Sequence, residues 1–114
     1  MNDSIDRKKI ESLLPHRAPM LLIDKLIKIV HLKSATAIMN VKKNGFYVQG
    51  HFPGQPVMPG VLIVEAFGQA AAALTAYGID PKEYENKLVF LSISLTLIFL
   101  NFLKNLLLEV LDIP

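Results

Sequence analysis

The chain has 114 residues, 52% of them hydrophobic, with a formal net charge of +2 and no cysteine. That length bounds it to one domain with a modest core, and the charge is too small to argue for nucleic acid. The lack of cysteine excludes disulfides and thiol chemistry and is compatible with a cytoplasmic setting, while the opening MNDSIDRKKIE is too polar for a signal peptide. No repeat, glycine-rich phosphate loop or metal-ligand cluster stands in the sequence.

In chain order, Ser4 suits the cap of a short helix carrying Ile5, Lys9, Ile10, Leu13 and Leu14, and Pro15 stops it. Met20 to Leu32 is rich in Ile, Leu and Val and reads as a strand with room for a bulge. Ala35, Ala37, Met39 and Val41 alternate with Ser34, Thr36, Ile38 and Asn40, the pattern of a second strand with one buried face. Lys42-Lys43-Asn44-Gly45 is a hairpin signal leading into Phe46-Tyr47-Val48. From Val57 to Tyr77 the sequence VMPGVLIVEAFGQAAAALTAY holds one charged residue, Glu65. Pro59 suits the first turn of a helix and Gly78 the residue past its end. The apolar positions form no single stripe, so this helix is expected to be covered by protein on most sides, and a sheet must supply the cover. The class is therefore α+β.

The chemistry gathers around that helix. His51 stands in Gly50-His51-Phe52-Pro53-Gly54-Gln55-Pro56-Val57-Met58-Pro59-Gly60-Val61, and Glu65 follows within fifteen residues. An imidazole takes or gives a proton near neutral pH. A carboxyl group among apolar side chains is disfavoured in its charged form and so can serve as an acid. Three prolines and two glycines between Phe52 and Gly60 stiffen the approach to the helix. The first N–H groups of the helix, those of Gly60 and Val61, lack intrahelical partners and can bond a carbonyl oxygen that gains negative charge. A structural Glu65, bonded to a nearby donor and four residues from Gln69 on the same face, fits the same residues. His16 and His31 read as structural or solvated.

These residues carry a resemblance. GHFPGQPVMPGVLIVEAFGQAAA resembles the signature of the 3-hydroxyacyl-[acyl-carrier-protein] dehydratases of the FabZ type. Leu13-Leu14-Pro15-His16-Arg17-Ala18-Pro19-Met20-Leu21-Leu22-Ile23-Asp24 is similar to the same family's N-terminal Leu-Pro-His-Arg segment. The likeness runs from about Ile10 to about Ile93. FabA-type enzymes usually carry Asp where this chain has Glu65, and hydratases of the superfamily with an Asp-x-x-x-x-His dyad lack the motif. The resemblance implies the hot-dog fold, an antiparallel sheet wrapped around a long central helix. It implies dehydration of (3R)-3-hydroxyacyl-[acyl-carrier-protein] to the trans-2-enoyl product in fatty acid biosynthesis, with no cofactor beyond the carrier's own phosphopantetheine arm. His51 would be the base, Glu65 the acid, and the Gly60 and Val61 N–H groups the support of the thioester carbonyl. The implied partners are acyl carrier protein and further copies of the chain, as a homodimer or trimer of dimers with the site at the dimer interface. Lys8, Lys9, Arg17, Lys42 and Lys43 are basic residues that could meet an acidic carrier. They equally suit a solvated surface.

After Ile93 the chain departs from the family's pattern. Residues 94–114 are strongly apolar and lack the Lys/Arg-Phe-Arg-x-Pro-Val-x-Pro-Gly segment that the family usually carries. Three readings compete: a membrane-spanning helix, a native extra helix or strand on the sheet, and a disrupted copy of the gene in which a shifted frame replaced the last strands. We favour the last, and membrane association is not the expectation. Residues 1–114 are otherwise read as a single dehydratase domain. The alternatives are a hot-dog acyl thioesterase, and an inactive fragment serving at most as a binding or membrane-associated piece.

Overall fold

A computed structural model describes residues 4–79 and, as backbone, 106–113. Ile5 makes an antiparallel bridge to Leu26, exchanging both backbone hydrogen bonds at 2.8 and 3.0 Å. That pairing holds the chain extended through Ile5, so helix α1 begins later than the sequence suggests and spans Arg7–Leu13. Its cap is Asp6 rather than Ser4: the Asp6 carboxylate accepts from Lys9 N–H at 2.9 Å. The helix ends before Pro15, as expected, and buries Ile10 completely.

Strand β1 spans Lys25–Val30 and β2 spans Ser34–Lys42, paired antiparallel. The register shifts between Ile27 and Val30, the bulge for which the sequence left room, and Lys28 there takes φ +51°. Ala35, Ala37, Met39 and Val41 are the buried face of β2, as their alternation requires. Thr36 is buried as well.

The signal at Lys42–Gly45 makes a turn but no hairpin. Gly45 N–H donates to Lys42 C=O at 3.0 Å, and Phe46–Val48 continues as a 3-10 helix. The Tyr47 ring folds back so that its hydroxyl accepts from Lys42 N–H at 2.8 Å, which spends the donor a returning strand would have used. Helix α2 spans Gly60–Gly78, with Pro59 as N-cap and Ile79 as C-cap. Strand β3, Leu106–Ile113, lies beside β2 in parallel and gives the order β1-β2-β3.

The core sits between α2 and this sheet. Ala66, Ala70, Ala71 and Ala73 bring small side chains, and Leu74 a large one, into one core with Ala35, Ala37 and Met39 of the sheet and with Ile10, Leu21, Ile23 and Leu26. Alanine on both layers lets helix and sheet approach closely. The antiparallel β1–β2 pair laid against one long helix is the hot-dog arrangement that the resemblance implies, while β3 joins it in parallel rather than antiparallel.

The cover on α2 is less complete than its composition suggests. Val61 is 77% exposed and Val64 63% exposed. The missing stripe in the sequence thus has a second cause: both faces are apolar, but in the single chain only one is packed. By length and composition α2 would also pass for a membrane span, yet its buried side is packed on the sheet. The end of the family likeness near Ile93, and the expectations placed on the tail as far as residue 105, lie outside the described residues.

Candidate active site

The loop from Val48 to Val57 is tied at both ends to His51. His51 N–H donates to Val48 C=O at 3.0 Å, and Val57 N–H donates to His51 C=O at 2.7 Å. Between them Phe52 and Gln55 exchange backbone hydrogen bonds at 3.0 Å each. Gly50 and Gly54 take φ +76° and +75°, a conformation that side chains rarely adopt, so the two glycines permit the turn. The His51–Phe52 peptide is cis. The two rings stack at 4.4 Å between centroids.

His51 Nδ1 lies 2.8 Å from Val57 C=O. A carbonyl only accepts, so this bond exists only with the proton on Nδ1. In the neutral ring Nε2 then carries the lone pair and is the basic atom. The loop therefore fixes both where the imidazole points and which nitrogen can take a proton.

Helix α2 carries the other groups. Its N-cap is Pro59, which supplies no side-chain acceptor, and Gly60 and Val61 are exposed. The nearby N–H groups of Leu62 and Ile63 turn back to Pro59 C=O at 3.1 and 3.3 Å. Among the described residues neither Gly60 nor Val61 N–H has an acceptor, so both remain open to an incoming oxygen.

Glu65 lies one turn further on. Its side chain is 39% exposed in the single chain. The deep burial expected from its apolar sequence neighbours is not met, because Val61 and Val64 on the adjoining face are open. Glu65 Oε1 accepts from Gln69 Nε2 at 3.2 Å and stands 3.8 Å from His16 Nε2. Among the described residues no hydrogen bond or ion pair joins Glu65 to His51.

Gln69 is the residue whose importance the sequence understates. It is 2% exposed and uses its amide in three directions. Oε1 accepts from Leu22 N–H at 2.8 Å, and Nε2 donates to Met20 C=O at 2.8 Å as well as to Glu65. One side chain thus fastens the segment before β1 to α2 and aims the carboxylate. The signal available was the lone amide among alanines four residues from the lone acid.

The N-terminal motif is tied down elsewhere too. Arg7 Nη1 donates to Ile23 C=O and to Asp24 Oδ1, both at 3.1 Å, and Asp24 Oδ2 accepts from Asn40 N–H at 2.8 Å and Asn40 Nδ2 at 3.1 Å. Arg17 Nη1 donates to Leu14 C=O at 2.9 Å and His16 C=O at 2.7 Å, so this basic side chain is engaged with its own segment. Among the described residues no group of three or more His, Cys, Asp or Glu could hold a metal ion.

A helix with an open N-terminus, an imidazole with a defined basic nitrogen and a carboxylate held at one oxygen are groups capable of proton transfer. Comparison with known proteins gives the family. The family model for the FabA-like domain matches residues 14–98. The chain belongs to the FabA-like family. Over 87 residues it is 51% identical to the 3-hydroxyacyl-[acyl-carrier-protein] dehydratase FabZ of Burkholderia lata, covering 76% of this chain and 56% of that protein. The protein of the same name from Dinoroseobacter shibae is 47% identical over 88 residues, 77% of this chain and 54% of its own. That from Anaeromyxobacter dehalogenans is 43% identical over 97 residues, 80% of this chain and 62% of its own. The chain thus spans little more than half the length of these curated relatives.

Proposed function

We propose that this chain is a FabZ-type hydro-lyase that dehydrates (3R)-3-hydroxyacyl-[acyl-carrier-protein] to the trans-2-enoyl thioester in fatty acid biosynthesis. The observation that carries the reading is the placement of His51: its bond to Val57 C=O leaves Nε2 as the base, in a loop that leads directly into the open N-terminus of α2. The names of the relatives give the substrate class.

In the reaction, His51 Nε2 takes the proton from the carbon next to the thioester carbonyl. The electron pair moves onto that carbonyl, whose oxygen is met by Gly60 and Val61 N–H. The charge then returns to form the double bond as the C3–O bond breaks, and Glu65 gives its proton to the departing hydroxyl, which leaves as water. Proton return from His51 to Glu65, through solvent, resets the pair. No step calls for a metal or a nucleotide.

The partners follow from the same reading. Acyl carrier protein delivers the substrate, and the exposed Lys8, Lys9, Lys42 and Lys43 offer it positive charge. A second copy of the chain completes the site. Two facts support this: among the described residues His51 and Glu65 do not pair with each other, and Val61 and Val64, on the same helix as Glu65, are exposed together with Val57 at the approach to it. The setting is cytoplasmic, and residues 1–114 act as one domain, matched by the FabA-like model over residues 14–98.

The test is turnover of 3-hydroxyacyl-[acyl-carrier-protein] by the purified chain, with His51→Ala and Glu65→Gln beside it and the size of each species measured. Enoyl product from the parent and a loss of at least about a hundredfold in each variant is the expected result. Release of free thiol would identify a thioesterase. Normal turnover in either variant would remove that residue from the mechanism.

A further inference from the structure

His16 is left over from the mechanism, yet it faces Glu65. Its Nε2 lies 3.8 Å from Glu65 Oε1, the oxygen that Gln69 Nε2 also approaches. The backbone around it is held by Pro15 and by the two bonds from Arg17 to Leu14 and His16 C=O. Four residues on, the same segment is gripped by Gln69 at Met20 and Leu22. His16 Nδ1 is buried and has no hydrogen-bond partner among the described residues.

The buried Nδ1 decides the form of the ring. An imidazolium, or the Nδ1–H tautomer, would bury an N–H with no acceptor, an arrangement rarer in proteins than an acceptor short of a donor. The neutral Nε2–H tautomer buries only a bare lone pair and turns its one N–H toward Glu65. At 3.8 Å this is an approach rather than a formed hydrogen bond, and contacts of this kind tighten when substrate fills a site.

We propose that His16 is a positioning residue for Glu65: as the neutral Nε2–H tautomer it acts with Gln69 on Oε1, leaving Oε2 to carry the proton that the departing hydroxyl receives. Two donors converging on one oxygen make it the poorer place for a proton, since an O–H there would face two N–H groups. The acid is thereby presented from a single defined atom. This rests on the dehydratase reading above.

The experiment combines kinetics with imidazole NMR on the full chain. His16→Ala is expected to lower kcat about tenfold or more with KM little changed, because the contact matters at the proton-transfer step. His16→Gln places an amide N–H near the former Nε2 and is expected to recover most of that loss. Long-range 1H–15N spectra of the parent, with His16 assigned by its absence in His16→Gln, are expected to show protonated Nε2 and bare Nδ1. An Nδ1–H or doubly protonated ring at neutral pH overturns the proposal. So does unchanged kcat in His16→Ala, or no recovery in a folded His16→Gln. An inactive parent overturns the dehydratase reading and the proton placement with it, and the spectra then decide the tautomer separately. An active parent with inactive His51→Ala and unaffected His16→Ala overturns this proposal alone.

Discussion

Replacing Gln69 with leucine keeps the size of the side chain and removes every polar contact it makes. Leu22 N–H, now bonded at 2.8 Å in a buried setting, would be left without an acceptor. Leaving a buried donor unpaired costs about 1–3 kcal/mol. Met20 C=O loses its donor as well, but it lies in a partly exposed place where water can replace the amide. That loss is closer to the net value of one hydrogen bond, about 0.5–1.5 kcal/mol. Together the change should destabilise the fold by about 1.5–4.5 kcal/mol, a large part of the ~5–15 kcal/mol available to a domain. Urea unfolding at fixed protein concentration would measure it, since association would otherwise shift the midpoint. Amide exchange at Leu22 should quicken in the same variant even under native conditions. A loss under about 0.5 kcal/mol with unchanged Leu22 protection would refute the assignment of Gln69 as the fastening between the N-terminal motif and α2.

Other changes test other parts of the structure. Asp24→Ala removes the acceptor of two Asn40 donors and the partner of Arg7, and should cost about 1–3 kcal/mol in the same unfolding assay, more than Asp6→Ala at the cap of α1, about 1 kcal/mol. Gly45→Ala would place a Cβ 2.5 Å from the Tyr47 ring, so the ring must move and its bond to Lys42 N–H should be lost, seen as a drop in melting temperature and faster exchange at Lys42. Val64→Asp puts a charge on an exposed face of α2, so the single chain should fold while sedimentation shows weaker self-association. A variant that unfolds instead would place Val64 in the core.

The sequence by itself determined most of the elements and the candidate groups for chemistry. The alternation of Ala35, Ala37, Met39 and Val41 gave β2 its buried face, and the proline and glycine punctuation around Pro59 and Gly78 bounded α2 to within a residue at each end. His51, Glu65 and the open helix start were legible as candidates because few residue types can do proton chemistry and these stand close together in an apolar background. What the sequence could not supply were contacts between segments far apart in the chain. Ile5 pairs with Leu26, which delays α1 and moves its cap to Asp6; Tyr47 folds onto Lys42, which turns a hairpin signal into a 3-10 helix. Gln69 reaches Met20 and Leu22 across more than forty positions, as the sequence numbers show, and His16 reaches Glu65 across nearly fifty. The choice of proton-bearing nitrogen in His51 belongs here too, since it follows from the distance to one carbonyl oxygen. Residue type decides which chemistry a group can perform. Only packing decides which atom of it is free to do so.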